Sequence, residues 1–319
     1  MELTRSLGRS PLQVPRLGVG AMTWGNPKGL ARWNPAKLAY GGAHGADEEE
    51  RALEASVAAG VALFDTAAMY SSGASERRLG ELARDKGVLI ATKFPGTLFF
   101  RTKNMPKELE ASLARLGRSS VDLYQHHFPS NRVSIPKLME LLADAVEAGK
   151  VKAVGVSNYS AEQMRIAHAV LAKRGIPLAS NQVEYSLLHR QPEVNGVLDA
   201  CRELGITLIA YSPLAMGALT GKYSAKVKAS GFRRFLPNFN KKAMDAVQPV
   251  VELLRQIGDR YSKTPSQIAL RWLIENPLVL PIPGAKNSKQ AMNNAGALTF
   301  HLTPVEIEAL NQATLAWRT

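Results

Sequence analysis

The 319-residue chain has a single cysteine, Cys201. One cysteine excludes an internal disulfide and a zinc site built from several thiolates. It lies within the apolar repeat of ValLeuAspAlaCysArgGluLeu, which reads as core. No apolar run approaches the ~20 residues that span a bilayer, and Met1 to Ser10 lacks the apolar stretch of a secretion signal. These absences predict a soluble protein of a reducing compartment: the cytoplasm, or an organelle stroma if a transit peptide has been removed. No GlyXGlyXXGly follows a strand, so a dinucleotide held by a Rossmann domain is excluded. The segment GlyAlaLeuThrGlyLys (217 to 222) lacks the spacing of a P-loop. Metal-ligand spacing is missing as well. His168 and His189 stand alone and read as surface or helix-packing residues.

Negative charge is in deficit: Lys and Arg number 40 against 27 Asp and Glu, a formal net charge of +13. The cations are spread along the whole chain instead of forming one dense run. That distribution favours a positive field for an anionic cofactor or substrate over a nucleic-acid footprint. One local concentration, Lys222, Lys226, Lys228, Arg233, Arg234, Lys241 and Lys242, reads as a solvated loop. With 45% hydrophobic and 21% charged residues the composition is that of a packed globular chain, which excludes disorder and collagen-like repeats.

Eight short apolar runs alternate with segments of helical period, the pattern of parallel strands joined by crossover helices. They span 16 to 21, 61 to 66, 88 to 93, 121 to 126, 151 to 157, 179 to 185, 206 to 212 and 278 to 283. Helical segments stop at Gly60, Gly87, Gly149, Gly175 and Gly205, each just before a strand. The prediction is one α/β domain over 1 to 319, a (β/α)8 barrel of the TIM type. Residues 1 to 15 read as a hairpin plugging its N-terminal end. Long loops at 25 to 45, 94 to 104 and 215 to 241 fall on the C-terminal face, where barrels carry function.

The chemistry-bearing residues cluster at that face. The second run ends in Asp65 with Tyr70 one short loop beyond, the third ends in Lys93, and the fourth in His126 and His127. A Lys at an apolar strand tip needs an anionic partner, and Asp65 is adjacent. Singly, each residue fits a turn cap, a core tyrosine or a rim cation. Four ionisable groups from three consecutive strands point instead to a tuned acid, because a neighbouring cation favours the phenolate of a tyrosine.

Seven motifs occur in order: PheAspThrAlaAlaMetTyr (64 to 70), SerGluArgArgLeuGly (75 to 80), AlaThrLysPhe (91 to 94), AspLeuTyrGlnHisHisPhePro (122 to 129), ValGlyValSerAsnTyr (154 to 159), TyrSerProLeu (211 to 214) and IleProGlyAlaLys (282 to 286). Together they resemble the aldo-keto reductase superfamily over nearly the whole chain. Pyridoxal reductases and similar small-aldehyde reductases are the nearest in look. The resemblance implies reduction of an aldehyde or ketone to an alcohol by NADPH. Its catalytic tetrad falls on Asp65, Tyr70, Lys93 and His127, with Tyr70 as proton donor, His127 orienting the carbonyl oxygen, Lys93 lowering the Tyr70 pKa and Asp65 holding Lys93. His127, and not His126, precedes the aromatic and Pro of the family pattern; His126 is expected to make a barrel-facing hydrogen bond. Phe128 stands where Trp is common, which reshapes the substrate pocket.

The same resemblance places the nicotinamide carboxamide on Ser157, Asn158 and Gln182, and the ring against Tyr211. Ser212, Pro213 and Leu214 begin the pyrophosphate wall, and Lys222 lies in the segment folded over it. Lys286 and Gln290 fall where the 2′-phosphate is gripped, with Gly284 in the cofactor-binding loop before them, and Asn293 and Asn294 where adenine binds. Asn293 departs from the acidic residue usual there. Thr23, Trp24 and Asp65 complete the expected cofactor contacts. Phe94, Phe99 and Phe128 are further candidates for pocket walls. A cofactor-sensing regulatory subunit is the alternative, since potassium-channel β subunits resemble the same barrel. The expected partners are a small carbonyl substrate and NADPH, without metal, nucleic acid or membrane.

Overall fold

The computed structural model describes residues 4–25, 45–94, 102–129, 134–224, 227, 233 and 235–319. Most of the loop at 25 to 45, most of that at 94 to 104, Phe99, and the cations Lys226, Lys228 and Arg234 lie outside the described residues. Among those described, β1 (Thr4–Ser6) and β2 (Gln13–Pro15) form an antiparallel hairpin. The strands β3 (Val19–Gly20), β4 (Leu63–Asp65), β5 (Leu89–Phe94), β6 (Val121–His126), β7 (Val151–Ser157), β8 (Leu178–Glu184), β9 (Thr207–Tyr211) and β10 (Val279–Pro281) follow one another in a parallel sheet. Gly20 bridges Gly284, and the Gly18 and Gly20 amides donate to the carbonyls of Pro281 and Pro283 at 3.0 Å. These bonds close the sheet into a barrel.

Each predicted run overlaps one strand, β5 and β8 extending one residue beyond theirs, and the first shortens most. Pro281 and Pro283 have no amide to return, which limits pairing at the seam. Helices α1 (Ala46–Ala58), α2 (Ala74–Leu82), α3 (Met105–Leu116), α4 (Ile135–Glu147), α5 (Ala161–Ala172) and α6 (Val197–Leu204) each follow a strand. The seventh crossover carries α7 (Lys241–Tyr261) and α8 (Pro265–Glu275), and α9 (Ser288–Ala295) and α10 (Pro304–Ala313) follow β10. All five helix-ending glycines named above have positive φ, between 62° and 77°.

Side chains alternate across each strand, and this sorts the barrel interior into layers. Lowest is an apolar layer of Leu63, Ala91, Leu123, Ala153, Ile209 and Leu280, packed with Leu7, Leu12 and Val14 of the hairpin. The hairpin therefore plugs the N-terminal end, as its sequence predicts. Its turn presses so close that a Cβ on Gly8 (φ +57°) would lie 2.5 Å from the Ala179 carbonyl oxygen. Above the apolar layer the inward residues turn polar: Asp65, Lys93, Gln125, Ser157 and Gln182 are each at most 3% exposed. Cys201 is buried in the outer core, where burial pushes its thiol up to about 12 and leaves it inert.

Candidate active site

Lys93 is the most deeply buried cation of the barrel interior. Its ammonium pairs with Asp65 Oδ1, donates to the Thr66 carbonyl at 2.9 Å and lies within hydrogen-bonding reach of Tyr70. Burial alone would drive the ammonium to deprotonate, but the Asp65 charge and Tyr70 outweigh it and hold the Lys93 pKa above its usual value. Tyr70 sits in the short turn after β4, its ring centroid 5.1 Å from Lys93 Nζ. His127 meets that ring edge-on at 5.6 Å. The four residues named from sequence are thus brought together at the C-terminal ends of β4, β5 and β6.

The two histidines differ in kind. Burial first, then the charges of Lys93 and His126, push His127 down to about 2, so it is a neutral ring at any working pH. Phe128, 40% exposed at the mouth, stacks on it at 4.3 Å. His126, pushed down by burial to about 4, hydrogen-bonds Tyr159 Oη through Nδ1 at 2.7 Å and stacks on Phe94. It does make a hydrogen bond, but outward, toward the helices, because Gln125 before it points inward. The expected barrel-facing orientation is corrected by strand alternation, and Phe94, fully buried, belongs to the same outer layer.

Gln125 was not among the residues singled out from sequence. Its Nε2 donates to Asp65 Oδ2 at 3.1 Å, and Gln182 Nε2 donates to the same oxygen at 2.9 Å. The signal was there: counting back two residues from His127 along β6 lands on Gln125, on the face shared with Lys93, its partner in register.

Across the mouth, Tyr211 Oη donates to Asn158 Oδ1 at 3.1 Å, and Asn158 Nδ2 donates to the His127 carbonyl at 3.0 Å and to Ser157 Oγ at 3.1 Å. Ser157 donates to the Gln182 carbonyl at 2.8 Å. One network thus links β6, β7, β8 and β9. Asn158 and Ser212 hold positive φ, 59° and 50°, a strain that clusters where backbone must present groups to a ligand. Pro213 is buried and Leu214 half-buried beside them. Thr23, at the end of the first barrel strand, is 8% exposed. Trp24 is fully buried: it packs on Phe64 and donates its indole N–H to the Ala285 carbonyl at 2.7 Å. Trp24 thereby supports the 284–286 segment from behind.

On the far side of the mouth, Lys286 is half-buried and faces Arg233. Burial, then the Arg233 charge, push it down to about 8. Two cations in this loop give it a positive field suited to an anion. Arg233, held by Tyr223 Oη at 2.9 Å, is therefore no solvated loop cation, whereas Lys222, Lys241 and Lys242 are exposed as expected. Gln290 accepts the Lys286 amide at 2.9 Å and Asn294 donates to the Gly284 carbonyl at 3.2 Å, so both brace the loop. Asn293 bonds Thr264 and Ser266, at the start of α8, through both ends of its amide.

A closed (β/α)8 barrel with Tyr, Lys, Asp and a neutral His gathered at its C-terminal mouth is the arrangement of a barrel enzyme. Residues 16–314 match the family model described as the Aldo/keto reductase family. The chain belongs to that family. It is 34% identical to the aldo-keto reductase str7 of Strobilurus tenacellus, over 97% of this chain and 91% of that protein. It is 36% identical to the chloroplastic pyridoxal reductase of Arabidopsis thaliana, over 92% and 81%. Among solved structures it is similar to the glycerol dehydrogenase AKR11B4 of Gluconobacter oxydans, with a TM-score of 0.82 at 26% identity over 98% and 95% of the two chains. Family membership implies nicotinamide-dependent carbonyl reduction, and the chain is an oxidoreductase acting on small molecules. Among the described residues no helix is long and apolar enough to cross a membrane.

Proposed function

We propose that the chain, working as one barrel domain, reduces an aldehyde or ketone to an alcohol with NADPH, and that Tyr70 delivers the proton. The observation that carries this reading is the contrast between two neighbours. Lys93 is a buried cation beside Tyr70, while His127, at about 2, carries no proton to give. Tyr70 is then the acid of the cluster, and His127 is an orienting donor that can point one neutral N–H at the carbonyl oxygen. The coupling between Lys93 and Tyr70 is reciprocal: the ammonium favours the phenolate left after proton transfer. Asp65 fixes the ammonium.

The nicotinamide, when bound, supplies the hydride. Asn158 and Ser157 offer amide and hydroxyl groups to its carboxamide, and Tyr211, anchored through Asn158, offers a ring face. Gln182 holds its Nε2 on Asp65 and stands beside them. Lys286 and Arg233 suit the 2′-phosphate, which favours NADPH over NADH. Ser212 to Leu214 suit the pyrophosphate, with Lys222 above.

The test is Tyr70→Phe. It removes one hydroxyl and should abolish reduction of every aldehyde in a panel that includes pyridoxal, with NADPH affinity within about twofold of the parent. Retained turnover would sink the assignment. Tight NADPH binding by the parent without turnover on any carbonyl would identify a cofactor-sensing subunit instead.

A further inference from the structure

Gln125 is fully buried in the polar layer of the barrel. On β6 it lies in register with Lys93 of β5 on one side and Gly155 of β7 on the other. Burying an amide among strands is unfavourable unless its groups are bonded. Here the Nε2 donates to Asp65 Oδ2 at 3.1 Å, and its Oε1 lies 3.4 Å from the Gln182 amide nitrogen, which donates to the same carboxylate oxygen at 2.9 Å. The two oxygens of Asp65 therefore have separate partners: Oδ1 takes Lys93 and Oδ2 takes two amides.

Room for the glutamine is made across the seam. A Cβ on Gly155 would lie 2.9 Å from Gln125 Cγ and 2.4 Å from Ser180 Oγ. A smaller apolar residue at 125 would need neither the gap nor the bonds.

We propose that Gln125 is a positioning residue for proton transfer: with Gln182 it turns the Asp65 carboxylate toward Lys93 and withdraws part of its negative charge from Tyr70. The inference rests on the reading of Tyr70 as proton donor. An N–H aimed at a carboxylate is a charge-assisted bond that favours the ionised form. Each such donor also weakens the field the carboxylate projects elsewhere. Without Gln125, Asp65 turns more of that field on the ammonium and the phenol beyond it, and the phenol becomes a weaker acid.

The test compares the parent with Gln125→Met, which keeps length and loses the donor, and Gln125→Asn, which keeps the amide and loses its reach. With saturating NADPH, the kcat of carbonyl reduction is followed from pH ~6 to ~10, the range in which a tuned phenol titrates. The basic limb, where Tyr70 loses its proton, should move up by ~0.5 to 1 unit in both variants. At neutral pH kcat should fall ~3- to 10-fold with the carbonyl KM within about twofold. NADPH fluorescence titration verifies folding, and either variant alone gives the readout if the other fails to fold. A limb at the parent position, or a change confined to KM, overturns the role, because a merely structural glutamine would not move the pH profile. Tyr70→Phe, run alongside, separates the two failures. An unmoved limb with an inactive Tyr70→Phe enzyme overturns Gln125 alone, whereas an active Tyr70→Phe enzyme overturns both readings.

Discussion

If Lys286 grips the 2′-phosphate, the affinity for NADPH must depend on pH in a way that the affinity for NADH does not. In the free protein Lys286 is held down to about 8 by burial and by Arg233. A phosphate dianion against the ammonium raises that pKa toward or past the ordinary lysine value of ~10.4. Only the protonated lysine makes the contact, so binding is at full strength below the free pKa and weakens as pH rises through it. The loss is ~10-fold at pH 9 and ~100-fold at pH 10, and it levels off where the bound lysine itself titrates. On the acid side the second ionisation of the phosphate, near pH ~6, sets the other limit. The result is a plateau between pH ~6 and ~8. NADH has no 2′-phosphate and should give a flat profile across the same range. Lys286→Ala should weaken NADPH by ~10- to 100-fold at neutral pH, leave NADH nearly unchanged and flatten the basic limb. Isothermal titration of both cofactors across that range, on parent and variant, measures all four curves. Parallel profiles for NADPH and NADH, or equal losses for both in Lys286→Ala, would refute the assignment.

Two predictions concern the frame around the site. Leu7→Ala opens a gap in the plug, where Leu7 is fully buried, and should cost ~2 to 5 kcal/mol in denaturant unfolding; because the hairpin lies at the opposite end from Tyr70, kcat of the folded enzyme should not change. Gly155→Ala places a methyl against Ser180 and Gln125 and should cost ~1 to 3 kcal/mol. By displacing Gln125 it should also move the basic limb of the pH profile, as the Gln125 variants do.

The barrel was legible because its signals are periodic: eight apolar runs, helices between them and a glycine stop before most strands. The cluster of Asp65, Tyr70, Lys93 and the two histidines was legible because these residues fall at or just past strand ends, where registers align; the choice of His127 over His126 came from the aromatic and Pro that follow it. Three features resisted for separate physical reasons. Gln125 hides in the middle of a strand, where a neutral amide carries no charge signal and only strict alternation reveals its face. Trp24 sits next to a ligand loop in sequence but is turned behind it, and rotation about a strand end is set by packing against Phe64. Arg233 belongs to a cation-rich loop that reads as solvated, and only the fold brings it to Lys286, 53 positions further along the chain.

Charge is segregated within this mouth, and on the proposed reading that segregation orients the dinucleotide. Around Tyr70, among the described residues, the tetrad contributes one carboxylate, Asp65, and one ammonium, Lys93; His127 is neutral, and Gln125 and Gln182 are dipoles. The tetrad end is thus close to neutral, with one proton to give, and a negative charge developing on a carbonyl oxygen meets the Lys93 field without a competing titratable donor. The opposite end, at Lys286 and Arg233, has two cations in partial burial. A phosphate-bearing end is drawn there and a neutral acceptor is drawn to Tyr70. Reversing the cofactor would bring phosphate charge up to Asp65 and carry it away from Lys286 and Arg233. The hairpin closes the barrel floor with Leu7, Leu12 and Val14, which pack an apolar layer beneath the polar one.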